Sequence, residues 1–316
     1  MSDDAPSAEQ PLRIGTRGSP LALAQAHETK VRLMAAHGLP EGAFEIVPIK
    51  TTGDRVQDRP LSEIGGKGLF TREIEDALLA GEIDIAVHSM KDMPTLQPEG
   101  LGITCYPPRE DPRDAFVSLG ATSAAALPGG AVVGTSSLRR RAQILYRRPD
   151  LKVVEFRGNV QTRLRKLGEG AAEATFLAMA GLRRLGLAEV AKAPIAPEEM
   201  LPAVAQGAIG IEQRLDDARV TRLLAAIHDA DTGHRLRAER AFLAGLDGSC
   251  QTPIAGLAEL VEGGLRLRGE ILRPDGSECL AHEQSGPVTE AEAIGAALAA
   301  ELLGRAGPDY FRGAAL

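Results

Sequence analysis

The 316-residue chain is 44% hydrophobic and 25% charged, a balance that builds packed cores and excludes disorder beyond the polar first ten residues. A formal net charge of −7 and only 3% aromatic residues argue against a general nucleic-acid binder, which needs excess cations and stacking platforms. No window nears the ~18 consecutive apolar residues of a membrane span, and the acidic start lacks the apolar core of a signal peptide.

In chain order, residues 12–16 form a short apolar strand, and residues 20–36 have helical periodicity with Pro20 at the start, where proline is tolerated. Residues 44–50 form a β-branched strand, 70–80 a helix and 83–88 a buried strand. This βαβα order predicts a parallel sheet with helices on its faces. A Pro-rich, charged stretch at 107–112 reads as a crossover. A second α/β unit follows, with strands at 132–135, 152–156 and 174–178 and helices at 137–147 and 160–166. Pro194, Pro197 and Pro202 mark a second crossover into an apolar strand at 208–213.

The last part differs. Helical patterns at 219–228 and 232–246 precede strand-like runs at 254–260, 265–272 and 278–284 and a helix at 290–303. The predicted fold is α/β with three domains. Domain 1 takes residues 11–107 and 203–228, domain 2 takes 108–202, and a smaller α+β domain 3 takes 229–316. Two α/β units joined by two crossings predict a clam-shell whose ligand lies in the cleft, at the carboxyl ends of strands.

The basic residues are lopsided, with 29 Arg against 7 Lys. Codon bias explains most of them, so the informative arginines are those placed where a cation is unwelcome. In VVGTSSLRRRAQ, Ser136 and Ser137 are good helix caps, and Arg139 and Arg140 then fall in the first turn, against the helix dipole. Arginines beside free backbone N–H groups make an anion site. Arg147 and Arg148 end the same helix, where cations help, and read as structural; Arg141 is undecided. In VVEFRGNVQTRL, Arg157 follows a strand and Arg163 lies in the next helix's opening turns, while IGTRGSPLA places Arg17 and Ser19 between strand and helix. Three such junctions imply a substrate with several carboxylates or phosphates.

In IDIAVHSMKD, Ser89, Lys91 and Asp92 lie just past the end of an apolar strand, as ligand groups or as a solvated charge pair. IGGKGLF lacks P-loop spacing, and there is no HExxH or GxSxG. Cys105, Cys250 and Cys279 are odd in number and far apart. That fits neither a disulfide framework nor a zinc site, so no metal is expected and a reducing cytoplasm is the expected home. Cys105 and Cys279 read as strand filler. Cys250 lies in a small-residue loop, DGSCQTPIAG, where a thiol is accessible as a nucleophile or attachment point.

Together, IGTRGSPLALAQ, GGKGLF, DIAVHSMKDMPT, REDPRDAF, GTSSLRRRAQ, RGNVQTRL, AQGAIGIE and GSCQTPIAG resemble the porphobilinogen deaminases (hydroxymethylbilane synthases), in the same order. The resemblance implies two domains like type II periplasmic binding proteins and a third that carries a cofactor cysteine. It implies condensation of four porphobilinogen molecules, with loss of ammonia, on a covalent dipyrromethane. Cys250 then matches the attachment cysteine and Asp92 the catalytic carboxylate. Arg17, Arg139, Arg140, Arg157, Arg163 and Arg184 match arginines that bind acetate and propionate groups. Ser19, Ser89, Lys91, Ser136 and Ser137 match polar contacts to the same groups, and Lys67 and Phe70 match a loop over the active site. The only implied partner is the small-molecule substrate, with no nucleic acid, no membrane and a monomeric chain.

Three residues depart from the family pattern. Ser249 and Ala205 stand where glycine is usual, and Glu63 where some relatives carry lysine. Two rival classes stay in view: a non-enzymatic anion-binding protein of the periplasmic type, and a nucleic-acid-binding regulator that uses the arginine clusters. Loss of ammonia from porphobilinogen separates them.

Overall fold

The structure is a computed structural model that describes residues 5–55, 71–246, 252–307 and 310–311. Lys67, Phe70 and Cys250, and the departures at Glu63 and Ser249, lie outside the described residues. The chain divides into two compact units, residues 1–109 with 208–233, and residues 110–207 with 234–316.

The strands in chain order are β1 (Leu12–Arg17), β2 (Phe44–Ile49), β3 (Ile85–Ser89), β4 (Leu101–Cys105), β5 (Asp114–Ser118), β6 (Val132–Gly134) and β7 (Lys152–Val154). Then come β8 (Ala174–Ala178), β9 (Ala193–Pro194), β10 (Ile209–Arg214), β11 (Ile254–Val261), β12 (Gly264–Leu272) and β13 (Cys279–Gly286). The helices used below are α1 (Pro20–His37), α2 (Arg72–Leu79), α3 (Leu138–Arg147), α4 (Val160–Gly168), α5 (Met179–Arg184), α6 (Ala218–Ala225), α7 (Ala230–Gly245) and α8 (Ala291–Ala306).

In the first unit the sheet order is β2-β1-β3-β10-β4. β1 pairs in parallel with β2 and β3, and β10 runs antiparallel to both β3 and β4. The sheet is therefore mixed, where the βαβα pattern predicts a parallel one. β10 follows a crossover rather than a covering helix, so nothing obliges it to run with its neighbours. α1 begins where Ser19 caps it, its side chain accepting from the Ala22 N–H, with Pro20 in the first turn. It ends at Gly38, whose φ of 64° closes the helix with a hydrogen bond to the Met34 carbonyl. Its buried face, Ala22, Gln25, Ala26, Thr29 and Leu33, follows the three-and-four spacing that lays one helix face on a sheet.

In the second unit the larger sheet has the order β7-β6-β8-β5-β9, with β6 parallel to β7 and β8 and with β5 antiparallel to β8. Phe116 and Phe176 face each other across the β5–β8 pair, centroids 6.0 Å apart. β11, β12 and β13 form a separate antiparallel meander. Phe242 of α7 and Leu298 of α8 close over Gly269 on that meander. The architecture is α/β, with a smaller α+β layer at the C-terminal end. β5 and β9 are strands that the sequence pattern misses, while β4 reads there only as the strand context of Cys105.

The segment before β10 is conformationally demanding. Ala205 has φ of 60° and is the only non-glycine residue with positive φ among the described residues. Its N–H donates to the buried Glu239 carboxylate at 2.6 Å, which helps hold it there. Gly207 has φ of 88°, and a Cβ there would collide with the Glu110 carbonyl oxygen. Gly207→Ala is expected to lower stability by ~2 kcal/mol, combining left-handed strain with the backbone clash. Urea unfolding checks this, and an unchanged midpoint would show that the segment relaxes freely.

Candidate active site

β1 and β3 are parallel neighbours, so both present their carboxyl ends at the same edge of the first unit's sheet. Arg17 is the last residue of β1, Ser19 starts α1, and Ser89 is the last residue of β3. A single turn of 3-10 helix, Met90–Asp92, then carries Lys91 and Asp92. The turn is anchored: the Met90 N–H donates to the Ala208 carbonyl, and Thr16 donates its buried hydroxyl toward the Val87 and Ala22 carbonyls. A cavity of about 70 Å³ opens among these ends, and Arg17, Ser19, Gln25, His88, Ser89 and Asp92 all line it. The structure thus brings together Arg17, Ser19, Ser89 and Asp92. Lys91 is half-buried and next in sequence to Asp92, but it is not part of the cavity wall.

Gln25 belongs to this site and sequence reasoning passes over it. It is 3% exposed, and its Oε1 accepts from the Ser89 hydroxyl at 2.9 Å. The available signal was an amide on the buried face of α1. His88 is also in the wall, and its Nε2 lies 3.0 Å from Glu212 Oε2. Glu75 is buried as well, and burial pushes its carboxyl above the ordinary carboxylate range, with the charge of Glu212 adding to the rise.

In the second unit, β6 and β7 are parallel neighbours and deliver two strand-to-helix junctions side by side. Ser137 caps α3, accepting from the Arg140 N–H, and the Ser136 hydroxyl accepts from the Phe156 N–H at 3.0 Å. Arg139 and Arg140 depart from expectation. The dipole argument predicts guanidinium groups facing a ligand, yet both side chains turn inward and each residue is 5% exposed. Arg139 donates to Asp114 Oδ2 at 2.7 Å and to the Leu201 carbonyl at 2.8 Å. Arg140 donates to Asp114 Oδ1 at 2.6 Å and to the Phe176 carbonyl at 2.8 Å. The physical reason is Asp114, at 0% exposure on β5, which cannot be buried ionised without cations beside it. Burial alone would raise its carboxyl, but the two arginines outweigh burial and hold it far below the ordinary range.

The other arginines keep a different character. Arg157 and Arg163 are half-buried around the Gly158 turn, where Arg163 Nε donates to the Gly158 carbonyl at 2.9 Å. Arg184, at the end of α5, donates to the Gly207 carbonyl at 3.1 Å. Arg147 and Arg148 are structural, as the helix-end argument expects: Arg147 holds the Glu198 carbonyl, and Arg148 holds three carbonyls and Asp150. Burial pushes the Cys105 and Cys279 thiols up to about 12, so neither is a ready thiolate.

Comparison with known proteins bears on this site. Residues 12–222 match the family model described as porphobilinogen deaminase, dipyromethane cofactor binding domain, and residues 234–304 match that of the C-terminal domain. The chain belongs to the porphobilinogen deaminase family. It is 72% identical over 306 residues to a protein of Paracoccus denitrificans (strain Pd 1222) named porphobilinogen deaminase, covering 97% of this chain and 98% of that one. It is 56% identical over 305 residues to the chloroplastic porphobilinogen deaminase of Oryza sativa subsp. japonica, covering 95% and 85%. Among solved structures, a periplasmic substrate-binding protein of an ABC transporter from Coxiella burnetii aligns with TM-score 0.42 and 17% identity, over 69% of this chain and 92% of that one. The first-unit cavity suits the family's cofactor class: a guanidinium and the Ser19 hydroxyl for carboxylate arms, and an exposed carboxylate for pyrrole N–H groups.

The Asp114 arrangement has a measurable consequence. A depressed folded-state pKa stabilises the fold above the unfolded aspartate value of about 3.9 and is lost as pH falls below it. Asp114→Asn is expected to cost ~3–5 kcal/mol at neutral pH, because it strands two buried guanidinium groups. The gap from the parent should narrow below about pH 4. Urea unfolding at both pH values checks this, and equal stability at neutral pH would contradict it.

Proposed function

We propose that the chain is a hydroxymethylbilane synthase. It condenses four porphobilinogen molecules head to tail, with loss of ammonia, on a dipyrromethane primer joined through a thioether to Cys250, in tetrapyrrole biosynthesis. The observation that carries this reading is the convergence of Arg17, Ser19, Ser89 and Asp92 on one cavity at the strand ends of a chain in this family.

When bound, dipyrromethane supplies the free pyrrole α-position that receives the first substrate. Arg17 is read as the clamp for a carboxylate arm, since a guanidinium pairs with it in two-point geometry. Ser19 adds a hydroxyl donor, while Ser89 gives its proton to Gln25 Oε1 and turns an acceptor oxygen to the cavity. Asp92 faces solvent at the end of a rigid strand. From there it stabilises the positive charge that develops on a pyrrole as ammonia leaves. Arg157, Arg163 and Arg184 are read as further clamps, with Ser136, Ser137 and Lys91 as polar contacts and Lys67 and Phe70 as part of a covering loop. Arg139 and Arg140 serve the site from inside, by fixing the junction that presents Ser136 and Ser137. A monomer in the cytoplasm completes the reading, which the widely spaced cysteines support.

The purified protein is expected to release ammonia from porphobilinogen. Its intact mass should exceed the sequence mass by one dipyrromethane, and Cys250→Ser should remove that excess. A fully active preparation at the bare sequence mass would overturn the attachment.

A further inference from the structure

The groups that line the Asp92 cavity differ in the sign of the hydrogen bond they offer, and one side-chain pair sets the difference. Gln25 on α1 is 3% exposed, and its Oε1 accepts from the Ser89 hydroxyl at 2.9 Å. Among the described residues Ser89 is the side chain bonded to that oxygen. A hydroxyl carries one proton and two lone pairs, so with its proton committed to Oε1 Ser89 has only lone pairs left for the cavity. Turning the hydroxyl round would leave a buried amide oxygen without a donor, a loss that the buried position penalises.

The nitrogen of the same amide is unused. Gln25 Nε2 has no hydrogen-bond partner among the described residues. It is not sealed in the core either: it is absent from the fully enclosed side-chain atoms without a partner, and the open space that Gln25 lines is the cavity. An amide plane holds its oxygen and nitrogen in fixed relation, so the bond from Ser89 to Oε1 also fixes where the N–H groups point.

The cavity groups then fall into two sets. Arg17 at the end of β1 is donor-only. Ser19 accepts the Ala22 N–H at 3.3 Å through its oxygen, which leaves its proton to give. With Gln25 Nε2 these are the donors, from β1 and α1. Ser89 at the end of β3 and Asp92 in the turn that follows are the acceptors. Porphobilinogen has the same two signs: its carboxylate arms only accept, and its pyrrole N–H and aminomethyl ammonium only donate.

Resting on the reading of the chain as a hydroxymethylbilane synthase, we propose that Gln25 sets the direction in which a pyrrole unit meets this cavity. Its Nε2 joins Arg17 and Ser19 in holding a carboxylate arm, and its Oε1 keeps Ser89 as an acceptor for the N–H side of the unit. Ser89 thereby changes role, from the carboxylate contact that the family resemblance implies to a contact for N–H groups. Gln25 is a positioning residue toward Ser89 and a binding residue toward the arm.

Two substitutions in the holoprotein separate the halves of the amide. Gln25→Glu keeps an oxygen for the Ser89 proton but sets a second oxygen where Nε2 stood. Its KM for porphobilinogen at neutral pH should rise about 10-fold with kcat little changed. Relative to the parent at each pH, that rise should shrink as pH falls, because a protonated carboxyl again offers a donor. Gln25→Leu lacks both groups and should show a similar rise without the recovery. An unchanged KM in both variants, or equal losses at every pH, would overturn the proposal. If neither variant folds, nitrogen-15 NMR of the glutamine-labelled parent decides. Titration with propionate, a carboxylate arm by itself, should move the Gln25 side-chain signal, and an unmoved signal would overturn the proposal. That measurement needs no turnover, so absence of ammonia release by the parent would refute the functional reading alone.

Discussion

The site depends on how β3 is held. It is paired on one side with parallel β1 and on the other with antiparallel β10, so its last residues cannot shift along the sheet without breaking two ladders. Gly210 deepens the constraint: Met90 packs against the face where its Cβ would be, so the turn that carries Asp92 lies directly on β10. A carboxylate that must meet a developing cation gains most from a fixed position, because no reorganisation is then needed at the moment of reaction. Asp92 has that position while still facing solvent.

The arginines divide by what they answer. Arg139 and Arg140 answer a buried carboxylate, each paired with Asp114 from the first turn of α3. A second carboxylate, Glu270, also acts on Arg139 and accepts from the neighbouring Gln143, so the two cations are balanced by more than Asp114. Arg17 answers an open cavity instead.

Much of this was legible in the sequence because the strands that matter are short apolar runs ended by polar residues. The segment around β3 announces both the strand and the loop that follows it. β5 was hidden because DAFVS follows directly on a proline-rich stretch that reads as a connection. The pairing of Asp114 with Arg139 and Arg140 was invisible for a related reason: the partners are 25 and 26 residues apart, and no local periodicity links them. His88 and Glu212 are 124 residues apart and meet only because β10 returns beside β3. Gln25 sat in plain view on α1, but an amide among alanines carries no signal until the Ser89 hydroxyl is placed beside it. Family resemblance named candidate residues of the site, and geometry paired two of them, Arg139 and Arg140, with Asp114.

The most direct test of the account is Asp92→Asn in the holoprotein, read in a single turnover with porphobilinogen. The substitution keeps the size of an exposed side chain and should leave thermal unfolding unchanged. Ammonia release should fall by a factor of about 10²–10³ while substrate still binds. Near-normal ammonia release from the folded variant would mean that the chemistry does not occur at the end of β3.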